Sequence, residues 1–584
     1  MKVIVTTLNS KFIHSNLAIR YLKAFTEDLC NIEIEEYTIN QHIDFIVSDL
    51  YKKKADIICF STYIWNLNET LEICETLKIV NPNLKILLGG PEVSFDPEVV
   101  LENNNFIDYI IFGEGELTFK EFIEHKVMGS NNYEAIKGLA YRDGDKIIKN
   151  ENRELIKDLN IIPSPYDNIG KDFENKIIYY ESSRGCPFNC AFCLSSTIKG
   201  VRYFDIERVK KDLGSLIDGK VRQVKFVDRT FNANKKYAKE IMNYIMEKDP
   251  VDINFHFEVT AHLLDDDMLE FISKAKEGLF QFEIGVQSTN NKTIDAIGRT
   301  TDFEKLSEVT RKIKSFNNIH QHLDLIAGLP YEGYDSFKNS FNDVYNLKPE
   351  KLQLGFLKLL KGSKLRAEED KYGFKYLDKP PYEILENDFI SYEDILKLHN
   401  IEDLVEKYFN EDYFSNSLDY IIKNHYEDPF SFYEELLEYW ESREYHKVSH
   451  SRDRLYDILK EFVYSHHYDD YEEFENLIKY DYIYNHTKKR LPGMLRLKEE
   501  KNNFNIHDVL KNDEILNKYL SKYKDLPTRK VLNLVTVEYF SINPLSIISG
   551  NQIKQDSYIL FKHKEGELDR CSVFDISYII KELI

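Results

Sequence analysis

The sequence predicts an α/β chain in three parts: a parallel-sheet domain, a partial barrel of six strand–helix units, and a mostly helical C-terminal region. Residues 1 to about 130 alternate short apolar runs with segments of helical period. A second alternating series runs from KIIYYESS (176–183) to KLQLGFLKLL (351–360). From about residue 366 the pattern turns helical and rich in Tyr, Glu, Lys and His. Strands separated by helices demand parallel pairing with right-handed crossovers. At 584 residues the chain exceeds what one core supports. The expected parts are 1–137, a linker with a hairpin over 138–173, a barrel over 174–365 and an extension over 366–584.

In the first part, KVIVTTL (2–8) is a strand and the segment around Asn16–Leu29 is helical. ADIICFSTY (55–63) is a second strand, with a helix following through Leu77. NLKILLGGPE (83–92) is a third, ending in Gly-Gly, and IDYIIFGEGE (107–116) a fourth. GLAYRDGDKII suggests a hairpin turning at Asp143-Gly144. DLNIIPSPYD follows, and its two prolines in three positions mark a linker.

The barrel strands are 176–183, VRQVKFVD (221–228), INFHFEVT (253–260), GLFQFEIGVQS (278–288), HQHLDLIAGLP (320–330) and 351–360. Barrels of this kind carry their functional residues at the C-terminal ends of strands. LNLVTVEYF (532–540) and YILFKHK (558–564) are late strands.

Composition narrows the function. An apolar fraction of 42%, with 39 Tyr and 37 Phe, argues against disorder. A net charge of −22 argues against general nucleic-acid binding, which needs a basic surface. No apolar run approaches the ~18 residues of a membrane span. MKVIVTTLNS reads as a buried strand rather than a signal peptide. Seven scattered cysteines make no disulfide framework, which points to a reducing cytoplasm.

Three of the seven cysteines, Cys186, Cys190 and Cys193, fall in ESSRGCPFNCAFCLSS, directly after a barrel strand. Thiolates bind soft metals and iron–sulfur clusters. Three this close can wrap one face of a cubane cluster and leave one iron open to a ligand. Phe192 would pack over it. The alternative is a structural zinc site on Cys190 and Cys193. It needs a second Cys or His pair downstream, and Cys571 is the sole later cysteine.

With CPFNCAFC and the strand-end motifs that follow it in order, residues 176 to 365 resemble the radical S-adenosylmethionine (SAM) enzymes. The resemblance implies a [4Fe–4S] cluster on the three cysteines, with SAM chelating the open iron and cleaved to a 5′-deoxyadenosyl radical. It implies SAM contacts from Glu258 in FHFEVTAHL, Gln287 in FEIGVQS, Arg299 in IGRT and Asp324 in LDLIAGLP. A guanidinium suits the SAM carboxylate. The family's usual Gly-Gly-Glu at the second strand is replaced by VKFVDRTF, which leaves Asp228 as the polar residue there. Glu283 fits either the site or an ion pair inside the barrel.

The first part resembles the Rossmann-like cobalamin-binding domain that often precedes such a barrel. His14 in NSKFIHSNLA, Ser61 and Thr62 in CFSTY, and Gly89-Gly90 in LLGGPE have the spacing of the cobalamin pattern. Glycines let backbone approach a bulky planar ligand, and hydroxyls cap the nucleotide tail. Phe12 and Leu17 stand where that pattern has Asp and Gly, so His14 lacks its usual carboxylate orienter. His14 is thus either a cobalt ligand or a loop histidine bonded to backbone or substrate. Glu114 of GEGE is placed at the corrin edge or across the interface to the barrel. Cys30, Cys59 and Cys74 fit strand or helix cores.

Together the two resemblances imply a cobalamin-dependent radical SAM enzyme that methylates or rearranges an unactivated carbon, fed by a flavodoxin or ferredoxin. A tRNA methylthiotransferase-like enzyme would need three further N-terminal cluster cysteines and a basic tail. A corrinoid or Fe–S sensor without catalysis would not need the SAM motifs.

Overall fold

The protein is described by a computed structural model covering residues 1–130, 132–166, 173, 176–486, 491–497, 504–551, 554–563 and 571–583. It forms two compact units, 1–337 with 354–395, and 338–353 with 396–584.

The first unit opens with a seven-stranded sheet. Its strands are β1 (Lys2–Asn9), β2 (Asn31–Thr38), β3 (Ile57–Ser61), β4 (Lys85–Gly89), β5 (Tyr109–Ile111), β6 (Leu139–Asp143) and β7 (Lys146–Lys149). The order is β2-β1-β3-β4-β5-β6-β7. β1 to β5 pair in parallel, and β6 and β7 antiparallel. Alternation along β1 sends Ile4 and Leu8 to one core, with Ile46, Ile73 and Leu77 of the covering helices. Val3 and Val5 go to the other, with Ile19, Phe119 and Phe122. Both faces are therefore covered, as parallel strands require.

Two expectations are corrected here. The hairpin of 138–149 is not linker, because Leu139, Ala140 and Tyr141 are buried and extend the first sheet. The helix expected to reach Leu29 ends at Thr26. The chain then forms edge strand β2, whose acidic NIEIEEYT pattern does not announce a strand. Residues 167–172 of the linker lie outside the described residues, as does Lys564 of YILFKHK.

The six expected barrel strands are present. The segment contains β8 (Ile177–Tyr180), β9 (Ser183–Cys186), β10 (Gly200–Tyr203), β11 (Gln223–Phe226), β12 (Asn254–Glu258), β13 (Phe280–Gln287), β14 (Ile319–Ala327) and β15 (Lys351–Phe356). The sheet order is β15-β14-β13-β12-β11-β8, parallel from β8 to β14. One face of these strands is apolar and buried, with Phe226, Phe255, Phe257, Phe280 and Phe282. The alternate positions place Lys225, His256, Glu258, Glu283 and Asp324 on the inner face. β9 and β10 form a separate antiparallel hairpin. A short pair, β16 (Lys375–Tyr376) and β17 (Ile384–Glu386), follows. Residues 366–395, expected with the extension, belong to this first unit.

The second unit is mainly helical, with helices Ser415–His425, Pro429–Ser442, Arg452–Ser465 and Tyr471–Asn485. Tyr433, Tyr456 and Tyr482 are fully buried among them. An antiparallel sheet of β18 (Val535–Phe540), β19 (Ser557–Lys562) and β20 (Ser572–Asp575) completes it.

Candidate cobalamin and iron–sulfur site

The first sheet brings its residues to one edge by topology alone. Ser61 ends β3, Gly89 ends β4, and Glu114 follows β5, all at carboxyl ends of parallel strands. The Thr62 hydroxyl donates to the Gly89 carbonyl at 2.8 Å, and the Thr62 N–H does so at 2.7 Å. Gly90 sits at φ +110°, and a Cβ there would lie 2.4 Å from the Thr62 carbonyl oxygen. That close backbone pass is why Gly90 must be glycine.

The cysteine loop is rooted by Asp228. Its carboxylate accepts from the Ser182 N–H (2.9 Å), the Ser182 hydroxyl (2.6 Å) and the Ser183 hydroxyl (2.6 Å). Burial pushes the Asp228 carboxyl up while those donors hold it down. Asp228 is 1% exposed, and its carboxylate holds the turn out of β8. Further along, the Ala191 N–H donates to the Ile297 carbonyl at 2.8 Å, and the Ala191 carbonyl accepts from Leu365 N–H at 2.9 Å. The loop between Cys190 and Cys193 is thus clamped from both sides. Phe192 is half-buried within it.

All three cysteines are free thiols, with Cys190 buried and Cys186 and Cys193 half-buried. Burial and the two neighbouring thiols push the Cys190 thiol up, while Arg299 pulls it down. Arg299 Nη1 lies 3.9 Å from Cys190 Sγ, and its Nη2 donates to the Gly285 carbonyl at 2.8 Å. The Thr230 hydroxyl is 3.5 Å from Cys186 Sγ. Among the described residues no three His, Cys, Asp or Glu side chains gather as ligands of a single ion. Three thiols in one loop beside a guanidinium do suit a cluster of thiolates.

The expected SAM residues line the same end of the barrel. Gln287 ends β13 at φ +71°, a strained conformation for a non-glycine residue. Gln287 Oε1 and Asp324 Oδ1 are buried without a hydrogen-bond partner. Buried polar atoms of this kind call for a ligand. Burial, then the nearby Glu283 and Glu258 carboxylates, push Asp324 well up. Burial also raises Glu258. Glu283 is an interior ion-pair partner, 3.0 Å from Lys225 Nζ and 2.9 Å from His256 Nε2.

A cavity of about 740 Å³ joins the two halves of this unit. Ser61, Gly89, Gly90 and Glu114 line it from the first sheet, and Glu181, Arg184, Gly185, Leu194 and Arg202 from the cysteine-loop side. Gly113 also lines it, with no atom within 4 Å of where a Cβ would stand. Such a glycine-edged concavity fits a planar macrocycle. Glu114 takes bonds from Arg202 at 2.6 and 3.1 Å and from the Ile156 N–H at 2.7 Å. Arg184 is held by Glu116 at 2.5 Å and by Glu181 at 3.0 Å. Burial drives the Glu181 carboxyl up to about 7 despite Arg184.

His14 stands apart from this cavity. Its Nδ1 is 2.8 Å from the Tyr179 hydroxyl on β8, and Ser15 bonds the Ile177 carbonyl at 2.8 Å. Burial, then Lys11 and Lys225, lower the pKa of its imidazole. His14 thus meets a side chain of the barrel's first strand, the Tyr179 hydroxyl. Thr62 likewise faces the Gly89 carbonyl rather than the cavity. Sequence reading missed Arg184, Arg202, Glu116 and Glu181. For Arg184 the signal was the SSRG before the first cysteine, a charged residue among small ones.

Three family models match the chain. A B12 binding domain matches residues 3–123, the radical SAM superfamily 180–344, and a family of unknown function, DUF4080, 370–561. The chain is a radical SAM protein carrying an N-terminal cobalamin-binding domain and an uncharacterised C-terminal extension. Cobalamin and SAM are the cofactors that these two domain models name.

An uncharacterized methyltransferase of Pyrococcus horikoshii is 30% identical over 303 residues, 50% of this chain and 64% of that one. The cobalamin-dependent radical SAM methyltransferase TokK of Streptomyces tokunonensis is 25% identical over 355 residues, 56% of this chain and 51% of that one. The chain thus spans only about half to two thirds of these relatives. The cobalamin-dependent SAM radical enzyme OxsB, solved with aqua-cobalamin, superposes with a TM-score of 0.59 at 17% identity, covering 82% of this chain and 78% of that one. The methyltransferase TsrM of Kitasatospora setae, solved with cobalamin and a [4Fe–4S] cluster, gives 0.55 at 13% identity, covering 65% and 82%. These two likenesses speak for the fold. Among the described residues no helix is long and apolar enough to cross a membrane.

Proposed function

We propose that this protein is a cobalamin-dependent radical SAM enzyme that transfers a methyl group to an unactivated carbon. The observation that carries the reading is the shared cavity. It sets the Ser61, Gly89 and Glu114 edge of the corrinoid-type sheet opposite the Arg184–Leu194 walls of the three-cysteine loop. Methyl transfer is preferred to rearrangement because curated relatives matched over half of this chain are named methyltransferases.

When bound, the cluster with SAM supplies a carbon-centred radical and the corrinoid a transferable methyl group. Cys186, Cys190 and Cys193 would hold the cluster. Arg299 would take the SAM carboxylate while keeping its bond to the Gly285 carbonyl. Gln287 Oε1 and Asp324 Oδ1 would receive donors from SAM, which relieves their buried vacancy. The ion pairs of Glu114 with Arg184 and Arg202 tie the end of the first sheet to the hairpin that carries the cysteine loop. The electron comes from a flavodoxin- or ferredoxin-type donor in a reducing cytoplasm.

The test is anaerobic incubation of reconstituted protein with SAM and dithionite. Formation of 5′-deoxyadenosine or S-adenosylhomocysteine supports the reading. Neither product, from protein that carries its iron, rejects it.

A further inference from the structure

Four arginines line the cavity: Arg153, Arg184, Arg202 and Arg229. Three are spent. Arg153 pairs with Glu121, Arg184 with Glu116 and Glu181, and Arg202 with Glu114. Arg229 is exposed into the cavity and has no hydrogen bond or ion pair from its side chain among the described residues. It follows Asp228 at the end of β11 and precedes Thr230, whose hydroxyl approaches Cys186 Sγ at 3.5 Å. Glu258 feels its charge without pairing with it.

This inverts the sign expected at that strand end. An acid there would hold an ammonium, but Asp228 is consumed by Ser182 and Ser183. What the strand presents to the cavity is a free guanidinium. A planar, permanently charged fork of donors suits a carboxylate or phosphate. In the proposed function the SAM carboxylate is met by Arg299, which lies 3.9 Å from Cys190 Sγ, whereas Arg229 neighbours the residue beside Cys186. The strand-end edge offered to a corrinoid lies at Ser61 and Gly89.

We infer that Arg229 binds an oxyanion of the substrate, so that the molecule acted on carries a carboxylate or phosphate within reach of the cavity. This rests on the proposed function. It gives the substrate a class: an acid or phosphate ester, anchored by its charge while an uncharged carbon faces the cofactors.

Arginine-directed labelling tests it on the holoenzyme. Iron and corrinoid are first counted on the wild-type sample, which judges the proposed function separately. The sample is then treated with phenylglyoxal and mapped by mass spectrometry. Arg229 should react at least fivefold faster than Arg184 or Arg202. Inorganic phosphate or acetate should slow that reaction at least threefold against chloride at equal ionic strength, and the stronger of the two protectors tells phosphate from carboxylate. Arg229→Gln should retain corrinoid and bind SAM within twofold of wild type. Equal labelling in phosphate, acetate and chloride overturns the inference. So does protection by SAM or by corrinoid alone, or a tenfold loss of either in Arg229→Gln, because the anion would then belong to a cofactor.

Discussion

Arg299 reaches back 109 residues to lie 3.9 Å from the sulfur of Cys190, and bonds the Gly285 carbonyl with its other nitrogen. One side chain thus ties the end of β13 to the cysteine loop. Its charge favours the Cys190 thiolate, and the proposed function gives its guanidinium the SAM carboxylate. Arg299→Ala should weaken SAM binding by about 1.5–3 kcal/mol, the worth of a charged hydrogen bond. Equilibrium dialysis with labelled SAM measures it, and unchanged affinity means Arg299 serves the loop alone.

Cys186→Ala should abolish both the 400 nm-region absorbance of the reconstituted cluster and SAM cleavage. Cleavage that survives the substitution removes Cys186 from the cluster.

Gly90→Ala should lower corrinoid retention at least severalfold and destabilise the first unit by about 1–3 kcal/mol, from a strained φ and a clash with Thr62. The readouts are bound corrinoid per chain and a denaturant midpoint. A variant that keeps both would mean the Thr62 strand end can move aside.

Asp228→Ala leaves the Ser182 and Ser183 donors buried without an acceptor. The cost should be about 1–3 kcal/mol, accompanied by loss of iron after reconstitution. If iron and stability stay while only SAM affinity falls, Asp228 is a SAM ligand after all.

In the second unit Asp481 accepts from Ser417 N–H and hydroxyl at 2.8 and 2.7 Å and from Asn416 Nδ2 at 2.7 Å. Burial nonetheless drives its carboxyl up to about 7. A folded pKa above the unfolded one favours the protonated native state. Its stabilising contribution is complete below the ordinary carboxylate range and is lost as pH rises through about 7. Thermal unfolding of wild type should therefore lose stability between about pH 4 and 7, by up to about 4 kcal/mol, relative to Asp481→Asn. Parallel pH profiles for the two proteins would contradict this.

Much of this was legible in the chain because strand ends carry both fold and function. KVIVTTL, ADIICFSTY and NLKILLGGPE are apolar enough to be buried strands, and their pattern alone places Ser61, Gly89 and Gly90 at strand ends. The same holds for Cys186, Cys190 and Cys193, where spacing is the signal. What escaped was polar and non-local. β2 was not assigned from the sequence, because an edge strand needs apolar residues on few positions and NIEIEEYT carries three glutamates. Asp228 and Thr62 stand out by motif position, but the sequence does not show that Ser182, Ser183 and the Gly89 carbonyl are their hydrogen-bond neighbours. His14 has the right position in the loop after β1 but meets Tyr179, 165 residues away. Arg184, Arg202 and Arg229 are indistinguishable as letters. Only geometry shows two of them neutralised and one free.

The most direct measurement is the cofactor content of purified protein reconstituted anaerobically with iron, sulfide and hydroxocobalamin, then desalted. The account predicts about four irons and about one corrinoid per chain. Four irons without corrinoid would leave a radical SAM protein whose cavity serves another ligand, and would contradict the methyl-transfer reading.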